Sequence, residues 1–181
     1  MFSSQQHVYF ENFLPDTLFQ EISEIVESGF FDWYWRPNAV LPDNQYNMFH
    51  VLYENKGVEI HKSNHYGLFD SMFTNLLSRF KGKELIRAKL VMHTARPERQ
   101  FTGYHHDIKG IIGGEKGNPN VNIFIFNFTT CNGGTVIGNS EIKSRANSGV
   151  FFSNIHKHKG IIQSDTSRRI LLNIVFEREE A

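Results

Sequence analysis

Apolar side chains follow helical spacing in two stretches of the first half of the chain. The first stretch begins around Pro15, because proline is tolerated in a first helical turn, and Gly29 is placed to cap it in a left-handed conformation. The second stretch is expected to end at Gly82. The apolar positions of the two predicted helices are Leu18, Phe19, Ile22, Ile25 and Val26, followed by Leu68, Phe69, Met72, Phe73, Leu76, Leu77 and Phe80.

Short runs of β-branched and aromatic residues, separated by glycine- and asparagine-rich turns, predict strands elsewhere. From about residue 88 onwards nearly all of the chain has this character, which is typical of a sandwich, a barrel or a jelly roll. We therefore expect one domain over 1–181, in which 1–87 supports a β core at 88–181 and the helices cover one outer face. The predicted strands are 7–10, 46–53, 88–94, 121–128, 135–138, 149–153, 160–163 and 169–176.

The composition excludes several classes of protein. Nineteen basic side chains balance nineteen acidic ones, and a chain without net charge lacks the basic surface that general nucleic-acid binding requires. A single cysteine excludes an intrachain disulfide framework. No apolar run approaches the roughly 20 residues that cross a bilayer, and the first residues lack the layout of a signal peptide. We therefore expect a cytoplasmic protein without nucleic-acid or membrane partners.

Three of the nine histidines stand in patterns suited to a metal site. His105 and Asp107 are two residues apart, so on an extended segment both side chains point to the same face. His156 and His158 follow later in the chain with the same spacing. Two imidazoles and one carboxylate form the facial triad of non-heme Fe(II) oxygenases. The order of His105, Asp107 and a second histidine therefore predicts a metal site of that type.

Arg168 and Arg169 follow His158 by ten and eleven residues and lead into the last predicted strand. With Arg169 facing inward, the outward positions are Ile170, Leu172, Ile174 and Phe176. That outward set is uniformly apolar, as expected beneath covering helices. With Arg168 facing inward, Asn173 would lie in the apolar outer layer. Arg169 is therefore preferred as the inward guanidinium, with Arg168 as the alternative.

Seven segments add to the order of His105, Asp107, the second histidine and the arginine. They are 8–15, 31–35, 85–90, 132–135, 149–152, 158–160 and 169–175. Together they resemble the 2-oxoglutarate/Fe(II)-dependent oxygenase superfamily, in particular its small prolyl-4-hydroxylase-like members, some of them encoded by phages. The resemblance covers nearly the whole chain. It implies a double-stranded β-helix and a dioxygenase that hydroxylates its substrate while 2-oxoglutarate is converted to succinate and CO2. Fe(II) and 2-oxoglutarate are the implied cofactor and co-substrate, and ascorbate is a further candidate cofactor.

The resemblance also implies roles for individual residues. Iron would be held by His105, Asp107 and a second histidine, for which His158 fits the family-like distance to the arginines better than His156. The activity would then depend on these ligands.

A second implied role concerns 2-oxoglutarate, whose distal carboxylate suits the planar fork of an arginine. Arg169 is preferred for this contact and Arg168 is the alternative. Many family members add a tyrosine on the strand 121–128 that hydrogen-bonds this carboxylate. This chain has Asn127 at the matching position, a shorter hydrogen-bond donor that is a further candidate for binding 2-oxoglutarate.

Several alternatives stay open from the sequence. The chain could be a cupin-type metal-binding barrel that does not turn over 2-oxoglutarate, or a non-enzymatic β-sandwich that binds other proteins. A peptidyl proline, another peptide segment or a small metabolite could be the substrate. The aromatic segment 33–35 could line a groove or lie at a sheet edge, and His93 could support the site or pack on a β face. The glycine-rich segment 110–119 is a candidate lid.

Overall fold

The computed structural model describes residues 6–40, 43–108 and 117–179 of the chain. The described part forms two helices and twelve strands. In chain order these are β1 (His7–Phe10), α1 (Asp16–Val26), β2 (Tyr34–Arg36), β3 (Asn47–Asn55), β4 (Ile60–Lys62), α2 (Tyr66–Phe80), β5 (Gly82–Thr94), β6 (Gln100–Phe101), β7 (Val121–Asn127), β8 (Gly134–Ile137), β9 (Ser140–Lys143), β10 (Ser148–Ser153), β11 (His158–Ile162) and β12 (Arg168–Arg178).

The strands form two antiparallel sheets that face each other. The larger sheet has the order β1-β10-β7-β12-β5-β3-β2, with β4 added beside β3, and the smaller sheet has the order β6-β11-β8-β9. Buried apolar residues from both sheets meet in one cluster between them, where Ile137 and Ile142 of the smaller sheet join Ile123, Val150 and others of the larger sheet. This is a double-stranded β-helix, so the predicted fold class is confirmed.

Both helices pack on the outer face of the larger sheet, as the sequence predicts. This outer core joins Ile22 and Val26 of α1 and four buried residues of α2 to the outward side chains of the central strands. Those outward side chains are Ala88, Leu90, Phe124, Phe126, Ile170, Leu172, Ile174 and Phe176. The central strands therefore have one face against the helices and the other toward the smaller sheet, which explains their nearly continuous burial.

The ends of both helices differ from the prediction. The first helix ends at Val26, and its cap residue Glu27 has right-handed backbone angles, so Gly29 does not supply a left-handed cap. The second helix is capped by Lys81, which has a φ of 51°. Gly82 instead begins β5, where an added Cβ would lie 2.5 Å from Cδ2 of Leu77 and 2.8 Å from a ring atom of Phe176. Close packing, and not backbone angle, requires glycine there.

The strand boundaries also differ from the sequence pattern. The predicted strand at 88–94 begins at Gly82, and the predicted strand at 169–176 continues to Arg178. Four short strands, β2, β4, β6 and β9, were not predicted because they are edge segments with few buried side chains to mark an alternation.

The greater part of the candidate lid at 110–119 lies outside the described residues. Among the residues that the structure describes, no helix has the length and apolar character needed to cross a membrane.

Glycine is required where β10 passes under the phenylalanine-rich outer core. An added Cβ at Gly149 would overlap the ring of Phe124, which is fully buried and lies 4.5 Å from the Phe13 ring centre. We expect Gly149→Ala to lower the free energy of unfolding by about 1–3 kcal/mol, the usual cost of overpacking. Urea unfolding followed by circular dichroism measures this change.

Gly67 in α2 is the matched control, because an added Cβ there meets no atom within 4 Å. Gly67→Ala should raise the free energy of unfolding by up to about 1 kcal/mol through helix propensity. Equal effects of the two substitutions would contradict the packing explanation.

Candidate metal centre and its cavity

Backbone pairing brings the two predicted histidine ligands together. His105 and His158 exchange two backbone hydrogen bonds of 3.0 Å across an isolated antiparallel bridge, and their ring centres are 4.3 Å apart. Asp107 follows two residues after His105, and its carboxylate lies beside the two imidazole rings. One potential ligand atom from each of the three residues lies within 4.8 Å of the other two. The structure therefore forms the His-Asp-His group that the sequence pattern predicts.

The chemistry of the three side chains suits a divalent metal ion. His105 Nδ1 lies 3.1 Å from the Gly103 carbonyl oxygen, so Nδ1 donates and Nε2 keeps its lone pair. Burial, and then the neighbouring His158, lower the pKa of His105 to about 4, which keeps this imidazole neutral at physiological pH. His158 is buried, and its Nε2 lies 3.4 Å from Asp107 Oδ2.

The Asp107 carboxylate is held by two side chains of the larger sheet. Arg87 donates from Nη2 to Oδ1 at 2.5 Å, and Asn173 donates from Nδ2 to Oδ2 at 3.0 Å. Burial alone would raise the pKa of Asp107. The hydrogen bond to His158 and the charges of His158, Arg87 and His105 outweigh it and hold the pKa well below its usual range. The carboxylate is therefore both ionised and oriented.

The buried side chain of Asn154, which no sequence pattern marks, shapes the turn at Asp107. Asn154 accepts a hydrogen bond from the Asp107 backbone N–H at 3.1 Å and donates one to the Ile108 carbonyl oxygen at 2.6 Å. Its own carbonyl oxygen lies 2.7 Å from His106 Nδ1. His106 is thus engaged by Asn154 and does not belong to the His105–Asp107–His158 group. The sequence signal was weak because Asn154 lies in a turn between strands.

His156, the alternative to His158, does not join the metal group. It is part-exposed in the turn after β10, where its backbone N–H bonds to Ser153. Burial and the nearby His106 and His7 lower its pKa. The structure thus brings His158, and not His156, to His105 and Asp107.

Arg169 lines the same cavity as the His105–Asp107–His158 group, and its side chain is 0% exposed. Its Nη1 donates to the Ile161 carbonyl oxygen at 3.3 Å and its Nη2 to Asn127 Oδ1 at 3.2 Å. Its Nε has no hydrogen-bond partner, and no carboxylate of the described residues pairs with the guanidinium. Burial lowers the pKa of Arg169 to about 10, so it stays charged.

Arg168, the alternative to Arg169, points the other way. Its guanidinium forms a 3.0 Å ion pair with Glu27 after α1, and the side chain is about two-fifths exposed. The inward position of Arg169 is also helped by Gly133 in the turn before β8. An added Cβ there would lie 2.8 Å from the Ile161 carbonyl oxygen and 3.0 Å from Arg169 Cδ, so the missing side chain leaves room for the arginine stem.

Asn127 sits behind Arg169 instead of at the cavity wall. Its Oδ1 accepts from Arg169 Nη2 and from Ser144 Oγ, and its Nδ2 donates to Ser148 Oγ at 3.3 Å. All three contacts are buried, so the amide orients the guanidinium and has little left for a ligand. This differs from the direct carboxylate contact that the resemblance implies, because an asparagine side chain is shorter than a tyrosine.

Two further cavity residues, Lys89 and His93, lie on β5. In the strand register Lys89 is opposite Asn173 and His93 is opposite Arg169. Burial, and then Arg87, lower the pKa of Lys89 to about 7, while burial and Arg169 lower that of His93 to about 3. The alternation of 89, 91 and 93 within a predicted strand is the sequence signal for both positions, but the residue type favours only His93 as a candidate for the site.

The aromatic segment 33–35 is not among the described residues that line the cavity. Tyr34 and Trp35 are exposed on the edge strand β2, and Trp33 packs against the outer core. The sheet-edge interpretation fits this placement.

Comparisons with known proteins place the fold. No protein-family model and no curated protein sequence matches the chain. Solved structures do match. An oxidoreductase of the 2OG-Fe(II) oxygenase family from Burkholderia pseudomallei has a TM-score of 0.70 at 11% identity, over 97% of this chain and 87% of its own.

Two other matches were solved with bound molecules. A Trichoplax adhaerens prolyl hydroxylase in complex with a peptide of the hypoxia-inducible factor oxygen degradation domain has a TM-score of 0.63 at 13% identity, over 96% of this chain and 84% of its own. HygX from Streptomyces hygroscopicus, with nickel and 2-oxoglutarate bound, has a TM-score of 0.61 at 9% identity, over 97% and 84%. The chain therefore has the double-stranded β-helix fold found in 2-oxoglutarate/Fe(II)-dependent oxygenases.

Proposed function

We propose that this protein is an Fe(II)- and 2-oxoglutarate-dependent dioxygenase that hydroxylates a C–H bond of its substrate. One observation carries the proposal: a single cavity contains both a two-histidine, one-carboxylate group and a buried arginine that no described carboxylate neutralises. The first suits a ferrous ion and the second suits a carboxylate of the co-substrate. The overall reaction would convert 2-oxoglutarate, O2 and R–H into succinate, CO2 and R–OH.

His105, Asp107 and His158 would hold the metal ion, because neutral imidazole nitrogens and one carboxylate are the ligand set of non-heme Fe(II) oxygenases. The bound metal would supply the activation of dioxygen. The protein's part is to keep the ligands ready. The low pKa of His105 keeps its Nε2 unprotonated, and the contacts from Arg87 and Asn173 keep Asp107 ionised and in one orientation.

Arg169 would bind the distal carboxylate of 2-oxoglutarate. A fully buried guanidinium without an anion is costly, and a dicarboxylate would provide the missing negative charge. Apolar cavity residues such as Ile125 and Leu171 would exclude water along the carbon chain of the co-substrate. Asn127 and the Ile161 carbonyl oxygen would orient the guanidinium without competing for all of its donors.

A peptidyl proline is the first substrate to test, because one of the proteins that share this fold is a prolyl hydroxylase solved with its peptide. A small metabolite is the second candidate, since fold alone does not determine substrate.

Removal of Arg169 tests the co-substrate assignment. We expect Arg169→Met to weaken 2-oxoglutarate binding by about tenfold to a hundredfold, because charge-assisted hydrogen bonds contribute about 1.5–3 kcal/mol. Calorimetry on the Mn(II)-loaded protein without oxygen measures affinity, and Fe(II)-dependent succinate release measures turnover.

Arg168→Met is the matched control and should leave 2-oxoglutarate affinity within about twofold, because an exposed ion pair contributes little. Unchanged affinity in the Arg169 variant would instead favour the cupin-type alternative, which binds metal without 2-oxoglutarate. A wild-type protein that retains no metal would favour the non-enzymatic β-sandwich.

Asn173 provides a separate test of the metal centre. Asn173→Ala removes the hydrogen bond to Asp107 Oδ2, and loss of such a contact to a ligand typically lowers metal affinity by about 10–100-fold. Titration with Co(II), followed by its absorption spectrum, gives the affinity. Asn55→Ala, at the exposed end of β3, should bind Co(II) like the wild type. Equal affinity of both variants would argue against a metal role for Asp107.

A further inference from the structure

Lys89 is a cavity residue for which the proposed reaction gives no role. It lies in the middle of β5, paired with Asn173 of β12 on one side and with Val51 of β3 on the other. Its chain neighbours Ala88 and Leu90 are fully buried in the outer core, so the alternation of the strand directs Lys89 to the cavity. The pairing on both sides fixes its backbone firmly.

The ammonium group of Lys89 has no anionic partner within the described residues. The charged groups that act on it most are Arg87, Asp107, Arg36 and Glu54, and none of them forms an ion pair with Nζ. Asp107 is already engaged by Arg87 and Asn173. No described residue accepts a hydrogen bond from Lys89. Lys89 is part-buried, and a cation that loses solvation without gaining an anionic partner is destabilising.

Lys89 and Arg169 lie toward different ends of the cavity. Lys89 is opposite Asn173, which contacts the metal-ligand carboxylate, whereas Arg169 is four residues earlier on the same strand. Four residues correspond to about 13 Å along a strand. This separation of the backbone positions favours one carboxylate for Arg169 and a second one for Lys89.

We propose that Lys89 is a second carboxylate-binding position, at the metal end of the cavity and distinct from Arg169. Its placement rests on the proposed function, since the metal end is defined by the His105–Asp107–His158 group. The carboxylate could come from either of two sources. It is the carboxylate next to the oxo group of 2-oxoglutarate, or it is an acidic group of the substrate, which would make that substrate an anion.

Lys89→Met tests the proposal without depending on an unstable variant. Methionine keeps most of the length of the side chain and removes the unpaired charge, so we expect a higher thermal midpoint in the ligand-free protein. Lys83→Met on the same strand is the matched control, because Lys83 is exposed and pairs with Glu177. Lys89→Gln is a second variant that keeps a polar end without the charge.

The first arm uses calorimetry at saturating Mn(II) without oxygen, with 2-oxoglutarate and pyruvate as probes. Pyruvate has the 2-oxo acid end but lacks the distal carboxylate. If Lys89 binds the carboxylate next to the oxo group, Lys89→Met weakens both probes by about tenfold or more. Arg169→Met then weakens 2-oxoglutarate but leaves pyruvate within about twofold.

The second arm uses the Zn(II)- and 2-oxoglutarate-loaded protein, with acetate and acetamide as an anionic and a neutral probe of equal size. The lysine side-chain NMR signal that is lost in Lys89→Met identifies Lys89. If the position serves the substrate, acetate shifts this signal saturably and acetamide does not, while the first arm shows no change.

The proposal is overturned if 2-oxoglutarate and pyruvate affinities stay within about twofold in Lys89→Met and acetate does not shift the Lys89 signal. Failure of the proposed function is distinguishable, because the wild-type protein would then bind neither Mn(II) nor 2-oxoglutarate. In that case acetate titration of the metal-free protein decides the proposal, with a saturable shift supporting it and no shift overturning it.

Discussion

The strict alternation of β12 is the constraint on which both the core and the site depend. This strand pairs with β5 on one side and β7 on the other, so its register is fixed along most of its length. Every second residue, from Ile170 to Phe176, packs under the helices. The opposite face of the strand places Arg169, Leu171 and Asn173 in the cavity. Burial of the apolar face thus sets the positions of the polar face, because the two are carried by one rigid backbone.

The cavity has an unusual balance of charge for a buried space. Arg169 and Lys89 line it, whereas Asp107 is the carboxylate in its wall and is already paired with Arg87. A metal ion would add more positive charge. Such a cavity favours anions over neutral or cationic ligands. The unpaired charges of Arg169 and Lys89 lower the free energy of unfolding. Apolar packing in the outer aromatic core offsets this loss.

The sequence contained most of what determines the site. The two-residue spacing of His105 and Asp107 and the alternation around Arg169 are periodic signals, and periodic signals survive in sequence because strands repeat every two residues. His156 and His158 are two residues apart, so strand alternation directs both to the same face and does not show which one is the ligand. That depends on which residue pairs with His105 across the sheets. The spacing relative to the arginines favours His158, and His158 is the histidine that lies beside His105 and Asp107.

Other features could not be predicted, for a different physical reason. Asn154 acts through turn contacts to Asp107 and Ile108, and Asn127 acts by supporting Arg169 from behind. Asn154 belongs to no periodic pattern. The alternation of β7 does not reveal the contact of Asn127 with Arg169, because that contact depends on the distance between segments far apart in the chain. The sequence pattern also does not mark Lys89 as a cavity residue, since a lysine in a strand is usually solvent-exposed. The cap of the second helix could not be predicted either. Lys81 adopts the left-handed conformation, whereas the glycine that suggests a cap, Gly82, is required one residue later by close packing.

The two faces of β12, one apolar beneath the helices and one lining the cavity, limit how this strand can change in length. Deleting one residue between Arg169 and Phe176 would exchange the faces of everything on one side of the deletion, moving aliphatic side chains into the cavity or polar ones beneath the helices. Deleting or inserting two residues would preserve the faces and only slide the arginine along the cavity by one repeat. Viable length variants of this strand should therefore differ by even numbers of residues. Changes of that kind would alter the distance between Arg169 and the His105–Asp107–His158 group, and under the proposed function this would change the length of the acid that fits.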